Sequence, residues 1–145
     1  MNKLLLLLTL APCLAFGQKT YVPDNNFENY LENNGMGNGI PYDDYVFTSA
    51  IDTVPSLYLY QQNISDLTGI EDFIALTTLS CYFNQLTSLD VSNNTALTYL
   101  ACSSNALTSL DVRNGNNTNF SLLSTSNNSS LNCIDVDDPV WSAAN

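Results

Sequence analysis

The chain has 145 residues, of which three are Lys or Arg and 14 are Asp or Glu, and it contains no histidine. The formal net charge of −11 leaves too few basic side chains to displace the counterions of a nucleic acid. Histidine-dependent triads and metal sites are excluded, and Lys/Arg clamps around a phosphate are disfavoured. Charged residues make up 12% of the sequence, against ~25% in an average soluble domain, so the polar surface must be mainly Asn, Ser and Thr. The length predicts one domain.

Residues 1–17 predict a cleaved secretory signal. A lysine precedes the short apolar run Leu4–Leu10, and small residues follow within Ala15–Gly17, where a signal peptidase would cut. The run is too short for a membrane span of about 20 residues, so no membrane-spanning segment is predicted. Cys13 faintly suggests a lipid anchor, but it follows Pro12 instead of a small residue. Export through a cleaved signal, to the medium or the cell surface, is the favoured interpretation.

Residues 18–53 predict an N-terminal cap. The apolar i, i+3, i+4 stripe of a short amphipathic helix is present: Phe27, Tyr30 and Leu31. Asn25 and Glu28 have the spacing of a capping box, and Gly35 is a natural end for the helix, followed by a loop to Asp44. We expect this helix to cover the open core of the first repeat.

Residues 54–136 contain a tandem repeat of 21 residues. The segment Leu76–Val91 matches Leu97–Val112 without a gap, and the string LTSLDV occurs in both. Looser copies precede and follow this pair, with insertions around 114–119 and at Ser129. Because one unit cannot bury its own apolar side, neighbouring units must stack and share a core. The predicted fold class is a repeat solenoid of about four coils with parallel β-strands.

The pattern L-x-x-L-x-(L/C)-x-x-N-x-L within each unit resembles the leucine-rich repeat. Leu86–Asn94 echoes the first half of its own unit, and this nested form is similar to the short leucine-rich repeats of secreted, internalin-like bacterial surface proteins. Tyr21–Phe27 resembles the segment that precedes the repeats in such proteins. The resemblance implies adhesion or interaction with a host or a neighbouring cell. Residues 137–145, with Pro139, Val140 and Trp141, are interpreted as a C-terminal cap or the start of a continuation.

Alternation along each strand predicts which side chains face the core. Leu79 and Cys81 point inward, and equivalent residues of other units should form ladders with them. A polar column is expected where each coil turns a corner: Asn84, Asn105 and Asn128, with Gln62 in the first unit. Amide side chains carry both donors and acceptors and can satisfy the backbone at such corners. This column is therefore predicted to be a structural ladder and not a ligand site.

Five aromatic residues take outward positions on the first three units: Tyr58, Tyr60, Tyr82, Phe83 and Tyr99. Exposed aromatic groups mark recognition surfaces when they cluster, which makes these residues candidates for binding a protein or a glycan. The alternative is cross-strand packing that only supports the sheet. Three functions follow. The first is a binding module at the cell surface, the second is a structural spacer in a longer surface protein with no ligand of its own, and the third is a carbohydrate-processing accessory module.

A column of carboxylates is also expected, formed by Asp90, Asp111 and Asp135 with Thr68 in the first unit. Such a column is spread out, whereas Ca²⁺ sites converge their ligands in one loop, so solvation and backbone bonding are favoured over a bound cation. A glycosidase would need two carboxylates facing each other across a cleft, and a repeat surface predicts none. We therefore expect a protein that is not an enzyme and has no cofactor and no nucleic-acid partner.

The cysteines of the repeat are predicted to be free. Cys81 and Cys102 occupy identical inward slots, where strand-neighbour geometry is poor for a disulfide although export would permit one. Cys133 lies outside that register and has no evident partner.

Overall fold

The computed structural model describes residues 17–140, so the predicted signal segment, apart from Gly17, and Trp141 lie outside the described residues. The repeat region is a parallel β-solenoid of about four coils, and a helix precedes it, as predicted. The cap elements, in chain order, are β1 (Lys19–Tyr21), α1 (Asn25–Asn33), β2 (Tyr45–Phe47) and α2 (Thr48–Ile51). The solenoid strands are β3 (Ser56–Tyr58), β4 (Thr78–Ser80), β5 (Ser88–Asp90), β6 (Tyr99–Ala101), β7 (Ser109–Asp111), β8 (Leu122–Ser124) and β9 (Ile134–Asp135).

The solenoid has two parallel sheets, because each central unit supplies two short strands. The four-strand sheet has the order β3-β4-β6-β8, and the three-strand sheet has the order β5-β7-β9. Pairing follows the sequence repeat, so Leu79 lies opposite Leu100 and Leu89 opposite Leu110. In the described part of the first coil no strand joins the three-strand sheet, and Thr68 instead donates from N and Oγ1 to Asp66. Thr68 and Asp90 line the same shallow depression, so the first coil continues the column position without a strand.

The core is a continuous stack of inward leucines, isoleucines and valines between the two sheets. Leu57, Leu79 and Leu100 are adjacent in one ladder and are fully or almost fully buried. Full burial of one such side chain contributes about 1.5–3 kcal/mol. The cap closes the first coil, where the rings of Phe27 and Phe73 stack with centroids 6.3 Å apart.

The residue that caps helix α1 differs from the predicted one. Asp24, not Asn25, is the N-cap, and its side chain accepts from the backbone N–H groups of Asn26 and Phe27. Glu28 lies within the helix and is buried, with Oε1 accepting from the N–H of Asp43 at 3.0 Å, so it does not complete a capping box. The helix ends at Asn33, and Gly35 has a φ of +74° as a terminating glycine should.

Asparagine amides bond the coils together at one corner of the solenoid. Asn105 donates to the carbonyls of Cys81 and Cys102 at 3.0 Å each and accepts from the N–H of Leu86 at 3.0 Å. Asn84 and Asn128 make the corresponding bonds one coil before and one coil after. Gln62 does not join them, because its side chain is exposed and donates to the carbonyl of Tyr60.

The same corner contains a left-handed residue in every coil. These residues are Gln61, Phe83, Ser104 and Asn127, with φ between 52° and 58°. None is glycine, although this region is unfavourable for side chains with a Cβ. The fixed corner turns the chain sharply out of each strand of the four-strand sheet.

The last described coil has an open end. A cavity of about 390 Å³ lies beside Leu131, Cys133 and Ile134. Val140 is 75% exposed, and Trp141, the largest residue of the predicted C-terminal cap, lies outside the described residues.

Candidate binding surface

The outward side chains of the four-strand sheet and its corner form one continuous surface, called the outer face below. It has four rows, each with one residue from every coil. The rows are Ser56, Thr78, Tyr99 and Leu122; Tyr58, Ser80, Ala101 and Ser124; Tyr60, Tyr82, Ser103 and Ser126; and Gln61, Phe83, Ser104 and Asn127. None of these sixteen residues is charged, although the chain carries a net charge of −11.

Three of the five predicted aromatic residues meet at one end of the outer face. The rings of Tyr60 and Tyr82 stack with centroids 4.6 Å apart, and Phe83 lies 5.8 Å from both at steeper angles. Aromatic pairs at such distances contribute about 0.5–1.5 kcal/mol beyond the area that they bury. We call Tyr60, Tyr82 and Phe83 the aromatic corner.

The other two predicted aromatic residues lie on the same face but apart from the corner. Tyr58 is 62% exposed and is opposite Ser80, while Tyr99 is half-buried and lies between Thr78 and Leu122. Within residues 17–140, neither ring has a ring partner. The five residues therefore share a surface without forming a single cluster.

Phe83 combines exposure with an unfavourable backbone. Its φ is +57°, and its side chain is 52% exposed. Asparagine relieves this conformation by local hydrogen bonding, and Asn127 occupies the equivalent place in the last coil. The side chain of phenylalanine cannot form such a hydrogen bond. Its ring contacts with Tyr60 and Tyr82 therefore offset only part of the cost of the positive φ.

In the third row, serine hydroxyls take the place of aromatic rings on the third and fourth coils. We call Ser103, Ser104, Ser124 and Ser126 the hydroxyl shelf. Ser103 Oγ lies 2.8 Å from Ser124 Oγ, and Asn127 Nδ2 donates to Ser104 Oγ at 3.2 Å. Ser80 and Ala101 take outward positions on their strands but are buried. Their small side chains form the floor of the outer face.

A second group of exposed aromatic residues lies on the cap and was not identified from the sequence. Tyr21 and Tyr45 pair across β1 and β2 with ring centroids 5.5 Å apart, and Lys19 Nζ lies 5.5 Å from the Tyr45 ring. Phe47 and Tyr42 are also exposed. The sequence pattern that indicates these two strands is the alternation of outward and inward residues in Lys19–Tyr21 and Tyr45–Phe47, whose middle residues are buried.

The carboxylate column lies on the three-strand sheet, with Asp90 opposite Asp111 and Asp111 opposite Asp135. Asp90 accepts from the N–H of Ser92 at 2.9 Å, and Asp111 accepts from the N–H of Arg113 at 3.0 Å. The guanidinium of Arg113 also pairs with Asp111 and holds the pKa of that carboxyl below its usual range. Asp90 and Asp111 are thus bonded to their own turns.

The described residues offer no arrangement of three or more Cys, Asp or Glu side chains that could hold a metal ion. Cys81, Cys102 and Cys133 are all free, the first two buried and the third exposed. Burial raises the pKa of the Cys102 thiol to about 12 and that of Cys81 well above its ordinary value. In the part of the chain that the structure covers, no helix has the length and apolar character to cross a membrane.

No protein-family model matches the sequence. Internalin J of Listeria monocytogenes serotype 4b (strain F2365) is 41% identical to it over 75 residues, which are 52% of this chain and 8% of that protein. The solved functional domain of InlJ from Listeria monocytogenes, which includes a cysteine ladder, is 40% identical with a TM-score of 0.54. That match covers 66% of this chain and 22% of the solved one.

A more distant likeness is to a solved structure of the CBM51-2 domain in complex with GlcNAc and INT domains from Clostridium perfringens ZmpB. It is 20% identical with a TM-score of 0.52 and covers 68% of this chain and 21% of that one. At this identity the likeness shows the fold alone. The two matches to internalin J confirm that the chain carries an internalin-like bacterial repeat, and it spans only a small part of the length of these relatives.

Proposed function

We propose that this internalin-like repeat protein is an exported binding module that recognises a macromolecule at a cell surface through its outer face. The single observation that carries the proposal is the aromatic corner, three adjoining rings on a face without charged residues. Exposed and rigid aromatic groups supply binding area at little cost in side-chain entropy. Export rests on the predicted signal in residues 1–17.

Two features favour recognition over mere support of the sheet. Cross-strand packing explains the stack of Tyr60 on Tyr82, but it does not explain why Tyr58 stands 62% exposed beside Ser80. It also does not explain an exposed phenylalanine at the left-handed corner, where the other coils have polar residues. A ligand that covers these side chains would bury their exposed apolar surface and so offset the cost of exposing them.

The test compares the native protein with the variant Tyr58→Ser/Tyr82→Ser/Tyr99→Ser. Binding is measured to immobilised mucin, fibronectin, collagen and peptidoglycan, with circular dichroism and thermal unfolding as checks of the fold. The matched control is Tyr21→Ser/Tyr42→Ser/Tyr45→Ser, which removes three exposed tyrosines from the cap. We expect the first variant to lose binding and the control to retain it, whereas equal binding by a folded first variant would refute the proposal.

The alternative is a structural spacer without a ligand. It is favoured by the stack of Tyr60 on Tyr82, which cross-strand packing alone accounts for. Failure of the native protein to bind any of the immobilised macromolecules would favour the spacer. No catalytic role is proposed, because Asp90 and Asp111 are engaged by their own turns, and Asp111 also by Arg113.

A further inference from the structure

The third and fourth rows of the outer face change from aromatic residues to serines between the second and third coils. In the third row, Tyr60 and Tyr82 are followed by Ser103 and Ser126, so two stacked rings give way to two hydroxyls. The ladder of backbone bonds continues through this point, since the N–H of Phe83 donates to the carbonyl of Ser103 at 3.1 Å. The coils themselves are therefore in register, and only the side chains change.

This change leaves the half-buried ring of Tyr82, which contacts Tyr60 and Phe83, without an aromatic neighbour from the third coil. One side of the ring is covered by Tyr60 at a centroid distance of 4.6 Å. On the other side the equivalent residue is Ser103, whose side chain is too short to stack on the ring. The result is an aromatic wall at the edge of the hydroxyl shelf, with buried Ala101 as part of the floor.

We infer that the boundary between Tyr82 and the hydroxyl shelf, called the step below, binds a neutral glycan. One sugar ring stacks on the side of Tyr82 that faces the third coil, and its hydroxyls bond to the hydroxyl shelf. The inference rests on the proposed function and names its ligand class. A sugar ring presents C–H groups on its broad side and hydroxyls around its rim, which matches a ring surface beside serine hydroxyls. Hydroxyls act as both donor and acceptor, so the shelf can pair with sugar hydroxyls in either sense.

The lack of charged residues on the outer face excludes anionic glycans and disfavours a protein ligand at this step. No residue of the outer face is charged, and the chain as a whole is acidic, so a sulfated or carboxylated glycan would find repulsion and no basic partner. Protein recognition surfaces commonly add arginine to their aromatic residues. The two basic residues of the described chain, Lys19 and Arg113, are both paired with carboxylates away from this face.

The experiment titrates the native protein with neutral hexasaccharides (cellohexaose, chitohexaose, xylohexaose and maltohexaose) by calorimetry, with a heparin hexasaccharide as the anionic comparison. Two variants act on the step in opposite ways. Tyr82→Ala removes the wall, whereas Ser103→Tyr extends the aromatic row and covers the side of Tyr82 that faces the third coil. Ser88→Tyr is the matched control, since it adds a tyrosine at an exposed outward position of the three-strand sheet.

We expect at least one neutral hexasaccharide to bind, and both Tyr82→Ala and Ser103→Tyr to weaken it by about tenfold or more, as for the loss of one ring stack. Ser88→Tyr should bind as the native protein does. A nonspecific aromatic patch would instead bind as well or better when Ser103→Tyr adds a ring. The inference is overturned if no neutral hexasaccharide binds, if the heparin hexasaccharide binds more tightly, or if Ser103→Tyr leaves the affinity unchanged.

The two proposals fail in distinguishable ways. Loss of macromolecule binding in the folded three-tyrosine variant, together with no binding of neutral hexasaccharides, would leave the binding module standing and remove the glycan. Unchanged macromolecule binding in the three-tyrosine variant would remove the binding module, whatever the hexasaccharides do.

Discussion

The carboxylate of Asp24 joins the cap helix to the first coil through Ser65. One oxygen caps helix α1, while the other accepts from both the N–H and the hydroxyl of Ser65 at 2.8 Å. The N–H of Asp66 donates to the same oxygen at 3.2 Å. A single side chain thus holds two elements that are 41 residues apart in sequence.

Replacing Asp24 should weaken the attachment of the cap. Asp24→Asn removes the charge and one acceptor oxygen, and hydrogen bonds to a charged group contribute about 1.5–3 kcal/mol. We expect a loss of this size in the free energy of unfolding at pH 7, measured by urea denaturation. Asp138→Asn, at the opposite end and exposed, should change little. Equal stability of the two variants would contradict the role assigned to Asp24.

The same residue makes a pH-dependent contribution. Burial alone would raise the pKa of Asp24, but the hydrogen bonds from Ser65, Phe27 and Asn26 outweigh it and hold the pKa below its ordinary value of 3.8. A depressed folded pKa means that the stabilisation is complete above 3.8 and is lost as the pH falls through the folded value. The stability difference between the native protein and Asp24→Asn should therefore shrink below this pH. A stability difference that stays constant down to the pH at which Asp24 is fully protonated would contradict the pH-dependent role of Asp24.

The asparagine corner predicts a large effect of a small substitution. Asn105→Ala leaves the carbonyls of Cys81 and Cys102 and the N–H of Leu86 without their side-chain partner. Because each unsatisfied buried group costs about 1–3 kcal/mol, we expect a loss of at least ~2 kcal/mol in unfolding free energy. Asn93→Ala, an exposed asparagine on the neighbouring turn, is the control and should lose far less.

The left-handed corner predicts unequal effects of glycine at adjacent serines. Ser104 has a φ of +55°, whereas Ser103 is not among the residues with positive φ. Both substitutions increase the entropy of the unfolded chain and remove a hydroxyl hydrogen bond, but only Ser104→Gly relieves the corner. We expect Ser104→Gly to be more stable than Ser103→Gly by about 1–2 kcal/mol in urea unfolding. The reverse order would show that the corner is not strained.

The thiols should differ sharply in reactivity. Burial raises the pKa of Cys81 and Cys102, and only the thiolate reacts, so both should resist iodoacetamide in the folded protein at pH 8. Cys133 is exposed and should be alkylated first. Peptide mapping by mass spectrometry assigns each label, and unfolding in urea should equalise the three rates. Labelling of Cys102 as fast as Cys133 in the folded state would contradict the burial.

Arg113 should offset the repulsion within the carboxylate column. Arg113→Gln removes the cation that pairs with Asp111, so we expect a lower melting temperature at low ionic strength. Screening at about 1 M salt should reduce the difference from the native protein. Because Asp90 and Asp111 are bonded to their own turns, EDTA should leave the native melting temperature unchanged. A marked drop with EDTA would indicate a cation on the column.

Local sequence patterns predicted most of the solenoid but misplaced several contacts. The repeat of 21 residues determines strand register, since Leu79 pairs with Leu100, and period-two alternation sends Cys81 inward. Asp24 was missed as the cap because Asn25 has equally suitable chemistry, and only the bonds to the distant Ser65 distinguish them. The cap sheet was missed because Tyr21 and Tyr45 are brought together by chain folding over 24 residues.

The sequence by itself determined the solenoid, because a repeat places the same side chain at the same slot of each coil and stacking then follows from the need to bury it. It also placed five aromatic residues on one surface. Only the tertiary structure decided that Tyr60, Tyr82 and Phe83 meet while Tyr58 and Tyr99 stand apart. The reason is geometric: ring contacts depend on the left-handed corner at Phe83 and on the small neighbours Ser80 and Ser103, which no single strand pattern specifies.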